Sequence, residues 1–117
     1  MKIERGMIID INLEPIKGAE TGKIRSCIVV TNNIYNEILS VIQVVPVTSW
    51  TEKKAQVKTN VEIEPTEENG LIKKSIADCL QIHPIDYKIR LVKIRGSVSN
   101  EVIKKIDEAI LAVFGIK

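Results

Sequence analysis

Arg25 closes a glycine-bracketed run, Gly18-Ala19-Glu20-Thr21-Gly22-Lys23-Ile24-Arg25, and opens an apolar one, Ser26-Cys27-Ile28-Val29-Val30-Thr31. A guanidinium is an unusual choice at the mouth of a core strand. Its planar fork matches a phosphate, and it stays charged at every physiological pH. Gly18 and Gly22 permit backbone geometries that let a ligand approach closely. Thr48 ends a second apolar run, residues 41–48. If the two runs are consecutive antiparallel strands, the start of one lies beside the end of the other. Arg25 and Thr48 then share one rim, with Ser49 and Trp50 next to them. A guanidinium and a hydroxyl so placed can donate to the non-bridging oxygens of a phosphodiester as charge builds up there. Each residue also has a plain structural reading, a solvated loop arginine and a β-branched strand end. Their pairing raises the chemical one.

Other catalytic equipment is scarce. His83 is the only histidine. It precedes Pro84, where the backbone is driven extended, and reads as a turn residue. The sequence has no clustered metal-ligand spacing, so metal-free chemistry is the expectation and no cofactor is implied. Neither a P-loop nor a dinucleotide fingerprint is present, since Gly18 and Gly22 fit neither spacing. Cys27 and Cys79 lie far apart and read as buried free thiols of a cytoplasmic protein.

The elements that must carry these groups are mostly strands. Of the 117 residues 44% are hydrophobic but only 3% aromatic, which leaves a core of Ile, Val and Leu suited to sheets. Residues 7–13 alternate as a half-buried strand until Pro15 ends it. Residues 24–31 and 41–48 follow as strands, with 34–39 unassigned between them. Residues 49–54 and 65–70 read as polar loops, and 71–72 as a short helical turn. The alternation is cleanest over residues 57–63. Further extended segments are expected at 75–82 and 89–98, with a turn at 84–86. One amphipathic helix over residues 100–114 is capped by Ser99 or Asn100 and stopped by Gly115. The expected architecture is mainly β with a C-terminal helix, a small antiparallel barrel of about six or seven strands. Length limits the chain to a single domain, 1–117. A net charge of +2 from 17 basic and 15 acidic residues does not by itself mark a nucleic-acid binder. No run reaches membrane-spanning length.

The order and spacing of Arg5-Gly6, Leu13, Pro15, Gly18, Glu20-Thr21-Gly22, Arg25 and Pro46-Val47-Thr48-Ser49 resemble the MazF/PemK family. Gly70-Leu71, Ser75, Gln81-Ile82, Ile85-Asp86 and Arg90-Leu91 extend the resemblance over nearly the whole chain. Its members are toxin endoribonucleases of type II toxin–antitoxin pairs, with an SH3-like or CcdB-like barrel fold. The resemblance implies metal-independent cleavage of single-stranded mRNA by attack of a 2′-hydroxyl on its own 3′ phosphate. The products would carry a 2′,3′-cyclic phosphate and a 5′-hydroxyl. By position, Arg25 is the proton donor and phosphate clamp, and Thr48 steadies the transition state. As a general base Arg25 would first have to lose a proton, at a cost of roughly 7 kcal/mol at pH 7. Arg25 therefore fits acid or electrostatic work, and Glu20 is the candidate base.

RNA recognition is expected from Thr21, Gly22, Lys23, Ser49, Trp50, Lys53, Lys54 and Gln81. Trp50 either stacks on a base or covers the core. The implied partners are a cognate acidic antitoxin and a second copy in a homodimer. Two departures from the family pattern stand out. Ser26 replaces the usual proline after the arginine, and Leu80 replaces an acidic residue before Gln81, with Asp78 nearby. A non-enzymatic poison of DNA gyrase with the same fold is the alternative.

Overall fold

β1 (Met7–Asn12) and β2 (Ile24–Val29) pair antiparallel, with Asp10 opposite Ser26 and Ile11 opposite Arg25. The computed structural model describes residues 2–13 and 23–117; Glu20, Thr21 and Gly22 lie outside the described residues. The neck of this hairpin is closed by the Leu13 N–H, which donates to the Lys23 carbonyl at 3.0 Å. α1 (Asn33–Ile38) occupies the stretch that hydrophobic periodicity leaves unassigned. Asn32 caps it, its side chain accepting from the Ile34 N–H.

β3 (Val41–Ser49) is the hub of the sheet. One edge pairs with β2 from Cys27↔Pro46 to Val29↔Val44. The other edge is shared by β6 (His83–Asp86), along residues 41–44, and β5 (Ser75–Asp78), along residues 47–49. β4 (Asn60–Ile63) extends the sheet beyond β5, and β7 (Leu91–Ser97) flanks β1 on the far side. The order is β4-β5-β3-β2-β1-β7 with β6 beside β3, seven strands that curl like a barrel but leave β4 and β7 as edges.

Several elements depart from the sequence expectations. The strand expected over 57–63 is confined to Asn60–Ile63. Before it, α2 (Glu52–Ala55) ends in turns whose carbonyls engage the Val57 and Asn60 N–H groups. The polar loop at 49–54 therefore contains a helical turn, which Thr51 caps. Residues 71–72 form no helical turn; Ile72 and Lys73 make a bend instead. The extended run expected at 75–82 stops at Asp78 and tightens into a 3₁₀ turn at Cys79–Gln81. Residues 84–86 belong to β6, not to a turn, and α3 (Tyr87–Arg90) precedes β7.

The central strands bury both faces. Ile8, Ile28, Val45, Ile63, Ala77 and Cys79 form one cluster with Ile106. Ile9, Ile11, Cys27, Val29, Ile42, Val44 and Ile85 form the other with Ile3. α4 (Asn100–Phe114) closes the first cluster with Ile106 and Ala109. It starts as its spacing predicts, with the Ser99 hydroxyl accepting from the Val102 N–H, and it ends at Gly115 in the left-handed region. Among the described residues, no helix is long and apolar enough to cross a membrane.

Candidate functional site: a cleft between diverging strands

Pro46, which has no N–H to give a neighbouring strand, sits where the edge of β3 away from β2 passes from β6 to β5. At Pro46 the β2–β3 ladder ends, and β3 turns its other edge to β5 from Val47 onward. The two strand ends beyond this point border an open cleft of about 740 Å³. Arg25 and Ser26 line one side, and Val47, Thr48 and Ser49 the other. Leu71, Ile72 and Lys73, from the connection between β4 and β5, form a third wall. Extending the register past Cys27↔Pro46 sets Arg25 level with Thr48. Strand alternation then puts Arg25 with Cys27 and Val29, and Thr48 with Val44, on the same face of the sheet.

The Thr48 hydroxyl has a defined partner. Lys54 Nζ donates to Thr48 Oγ1 at 3.0 Å and to the Ser49 carbonyl at 3.3 Å. α2 makes this possible, because the Thr51 cap holds the Lys54 N–H at 3.1 Å and folds the lysine back over β3. An ammonium group only donates, so Thr48 Oγ1 accepts and its own hydrogen stays available to a ligand oxygen.

Of the residues expected at the site, the cleft gathers Arg25, Thr48, Ser49, Lys54 and Gln81. Gln81 donates to Asp78 Oδ2 at 2.7 Å, and Asp78 also lines the cleft. Lys23 and Lys53 are exposed but outside its lining. Trp50 is outside it as well. Its indole N–H donates to Glu62 Oε1 at 2.6 Å, and Lys74 Nζ lies 4.6 Å from its ring centre. His83 stands in β6 with Nδ1 2.9 Å from the Gln81 carbonyl.

Sequence reasoning passed over Asp10 and Arg95. Alternation along β1 sends Asp10 to solvent, yet it is only 4% exposed. Arg95 lines the cleft and grips Asp10 with two nitrogens, Nε to Oδ1 at 3.1 Å and Nη2 to Oδ2 at 2.9 Å. Burial works against ionisation of Asp10, but the hydrogen bonds from Arg95 and Ser26, with the charges of Arg95 and Lys93, hold its carboxyl below the usual range. The signal available in the sequence was an acid set inside the apolar run Ile8-Ile9-Asp10-Ile11. Burial pushes both Cys27 and Cys79 thiols up to about 12, so neither is a nucleophile at neutral pH. Among the described residues no cluster of His, Cys, Asp and Glu could hold a metal ion.

A bent antiparallel sheet, a terminal helix and a cleft lined by an arginine, a lysine and a lysine-bonded threonine define a small β protein with basic side chains in its cleft. Residues 4–114 match the PemK-like, MazF-like toxins of type II toxin–antitoxin systems, and the chain belongs to that family. It is 32% identical over 110 residues to the Endoribonuclease EndoA of Bacillus subtilis (strain 168), covering 94% of this chain and 92% of that protein. Its fold is similar to MazF in a MazE-MazF complex from Deinococcus radiodurans, with a TM-score of 0.78 at 18% identity, covering 100% of this chain and 99% of that one. It is also similar to a mycobacterial endoribonuclease in complex with its cognate antitoxin, with a TM-score of 0.76 at 18% identity, covering 97% and 95% of the two chains.

Proposed function

We propose that this toxin is a sequence-specific endoribonuclease that cuts single-stranded mRNA without a metal ion. The observation that carries this reading is the convergence of Arg25, Thr48 and Lys54 on one open cleft. Arg25 donates to the non-bridging oxygens of the scissile phosphate and protonates the departing 5′ alkoxide, a far stronger base than a deprotonated guanidine. Thr48, its oxygen already engaged by Lys54, turns its hydrogen to the same phosphate. The substrate's 2′-hydroxyl attacks the phosphorus as the P–O5′ bond breaks, leaving a 2′,3′-cyclic phosphate and a 5′-hydroxyl. Glu20 remains the proposed base for the 2′-hydroxyl proton.

Thr21, Gly22, Lys23, Ser49, Lys53 and Gln81 are the proposed contacts to flanking nucleotides, with the lysines following the backbone electrostatically. Trp50 enters this reading through its contacts to Lys74 and Glu62 instead of as a stacking platform. The proposed setting is the cytoplasm, with residues 1–117 acting as one domain in a homodimer. A cognate acidic antitoxin would silence it by covering the cleft. Both the family match and the similarity to EndoA favour a nuclease over a gyrase poison.

The test is to incubate the pure protein with a long RNA, with and without EDTA, and to map the new ends. Cyclic phosphate and 5′-hydroxyl ends at a recurring short sequence, formed equally in EDTA, are expected. Cleavage that needs added Mg²⁺, or 3′-hydroxyl and 5′-phosphate ends, overturns the mechanism. An intact RNA overturns the nuclease reading itself.

A further inference from the structure

Arg95 is the extra residue of a β-bulge. Ile8 pairs with Gly96 while its neighbour Ile9 pairs with Ile94, so Arg95 has no opposite number on β1. A bulge re-aims a side chain, and this one turns the Arg95 fork onto buried Asp10. The third guanidinium nitrogen, Nη1, donates to the Gly70 carbonyl at 3.1 Å. From the other side the Ser26 hydroxyl donates to Asp10 Oδ1 at 2.6 Å. One carboxylate thus binds β2 directly and, through Arg95, ties in β7 and the connection that forms the third wall of the cleft.

The backbone around this network is packed too closely for larger residues. A Cβ on Gly96 would lie 2.3 Å from the Glu68 carbonyl oxygen, and one on Gly70 2.4 Å from that of Arg95. The Ser97 N–H also donates to the Glu68 carbonyl at 2.9 Å. The connection is therefore seated on β7 at the bulge itself.

We propose that Asp10, Ser26 and Arg95 are positioning residues that brace the Arg25-bearing end of β2 and fix its distance from the Leu71, Ile72 and Lys73 wall. This role rests on the nuclease reading. Alternation sends Ser26 to the face of β2 opposite Arg25, so although both line the cleft, the brace holds the strand through Ser26 and does not engage the Arg25 guanidinium. Serine also stands where the family pattern carries proline, whose ring would have held residue 25 extended. The hydroxyl–carboxylate bond supplies a side-chain restraint in place of that backbone one.

Ser26→Ala and Ser26→Thr test this with two readouts. One is the single-turnover cleavage rate. The other is affinity for the same RNA carrying a 2′-deoxy residue at the cut, which binds without reacting. Misplacing a reacting group costs rate more than binding, so Ser26→Ala is expected to lose roughly tenfold in rate and less than about twofold in affinity. Ser26→Thr, which keeps the hydroxyl, restores the rate. Arg95→Lys keeps the charge but not the fork, and its loss is expected to be non-additive with that of Ser26→Ala because both act through Asp10. An unchanged rate in Ser26→Ala, a matched loss of affinity, failure of threonine to restore the rate, additive losses or a Ser26→Ala chain that does not fold each overturns the brace. A wild-type protein that cuts no RNA overturns the nuclease reading and the brace with it.

Discussion

Lys54 Nζ stands 3.0 Å from Thr48 Oγ1 across a turn of six residues, held there by the Thr51 cap of α2. The pair couples a charge to a hydroxyl inside the cleft. Lysine occupies one acceptor site on the threonine oxygen, which orients the remaining hydrogen and increases its acidity. Removing either group therefore removes more than a single contact.

Thr48→Val keeps the β-branched shape that suits a strand and deletes only the hydroxyl. Losing one donor to a developing oxyanion lowers the rate roughly 10²–10³-fold. Lys54→Met is expected to show a smaller loss, with the two variants non-additive. Single-turnover RNA cleavage by the two single variants and the double variant checks this; additive effects would show that the two groups act independently.

Arg25 is exposed at the start of β2 and contributes little to the core. Arg25→Ala is expected to abolish measurable cleavage while its thermal midpoint stays near that of the parent. Arg25→Lys keeps the charge but loses the bidentate fork, so it should retain a small residual rate. Full activity in Arg25→Ala would remove the proposed acid.

Asp10 makes stability depend on acid pH. Its folded-state pKa lies below the value of 3.8 for an unperturbed aspartate, because Arg95, Ser26 and Lys93 together outweigh the burial that favours the neutral form. Its stabilising contribution is therefore fully present above that unfolded value and declines as pH falls from there through the lower folded-state pKa. Asp10→Asn should be less stable than the parent at pH 7, and the gap should shrink as pH drops below about 4. Denaturant melts of both proteins from pH 7 to pH 2.5 measure the gap; a constant difference would show that the charge on Asp10 does not matter.

Trp50 distinguishes stability from binding. Its ring is engaged by Lys74 and its N–H by Glu62, both away from the cleft lining. Trp50→Ala should lose on the order of 1 kcal/mol of stability from the cation–π contact and hydrogen bond together. RNA affinity should change little, and a large drop at unchanged stability would identify a stacking platform instead.

Strand chemistry and helix punctuation were legible in the sequence because they are local. The Ile- and Val-rich runs made β1, β2 and β3, and Ser99 and Gly115 bounded α4 as their capping chemistry requires. The proximity of Arg25 and Thr48 could be inferred because two consecutive antiparallel strands bring the start of one to the end of the next. Asp10 was passed over because alternation assumes one wet face, whereas β1 is buried on both by neighbours far along the chain. Only the tertiary structure decided that β2 and β3 would separate at Pro46 to open a cleft, that α2 would fold Lys54 onto Thr48, and that a bulge would aim Arg95 at Asp10. Each depends on which residues distant in sequence become neighbours, which periodicity within a segment does not encode.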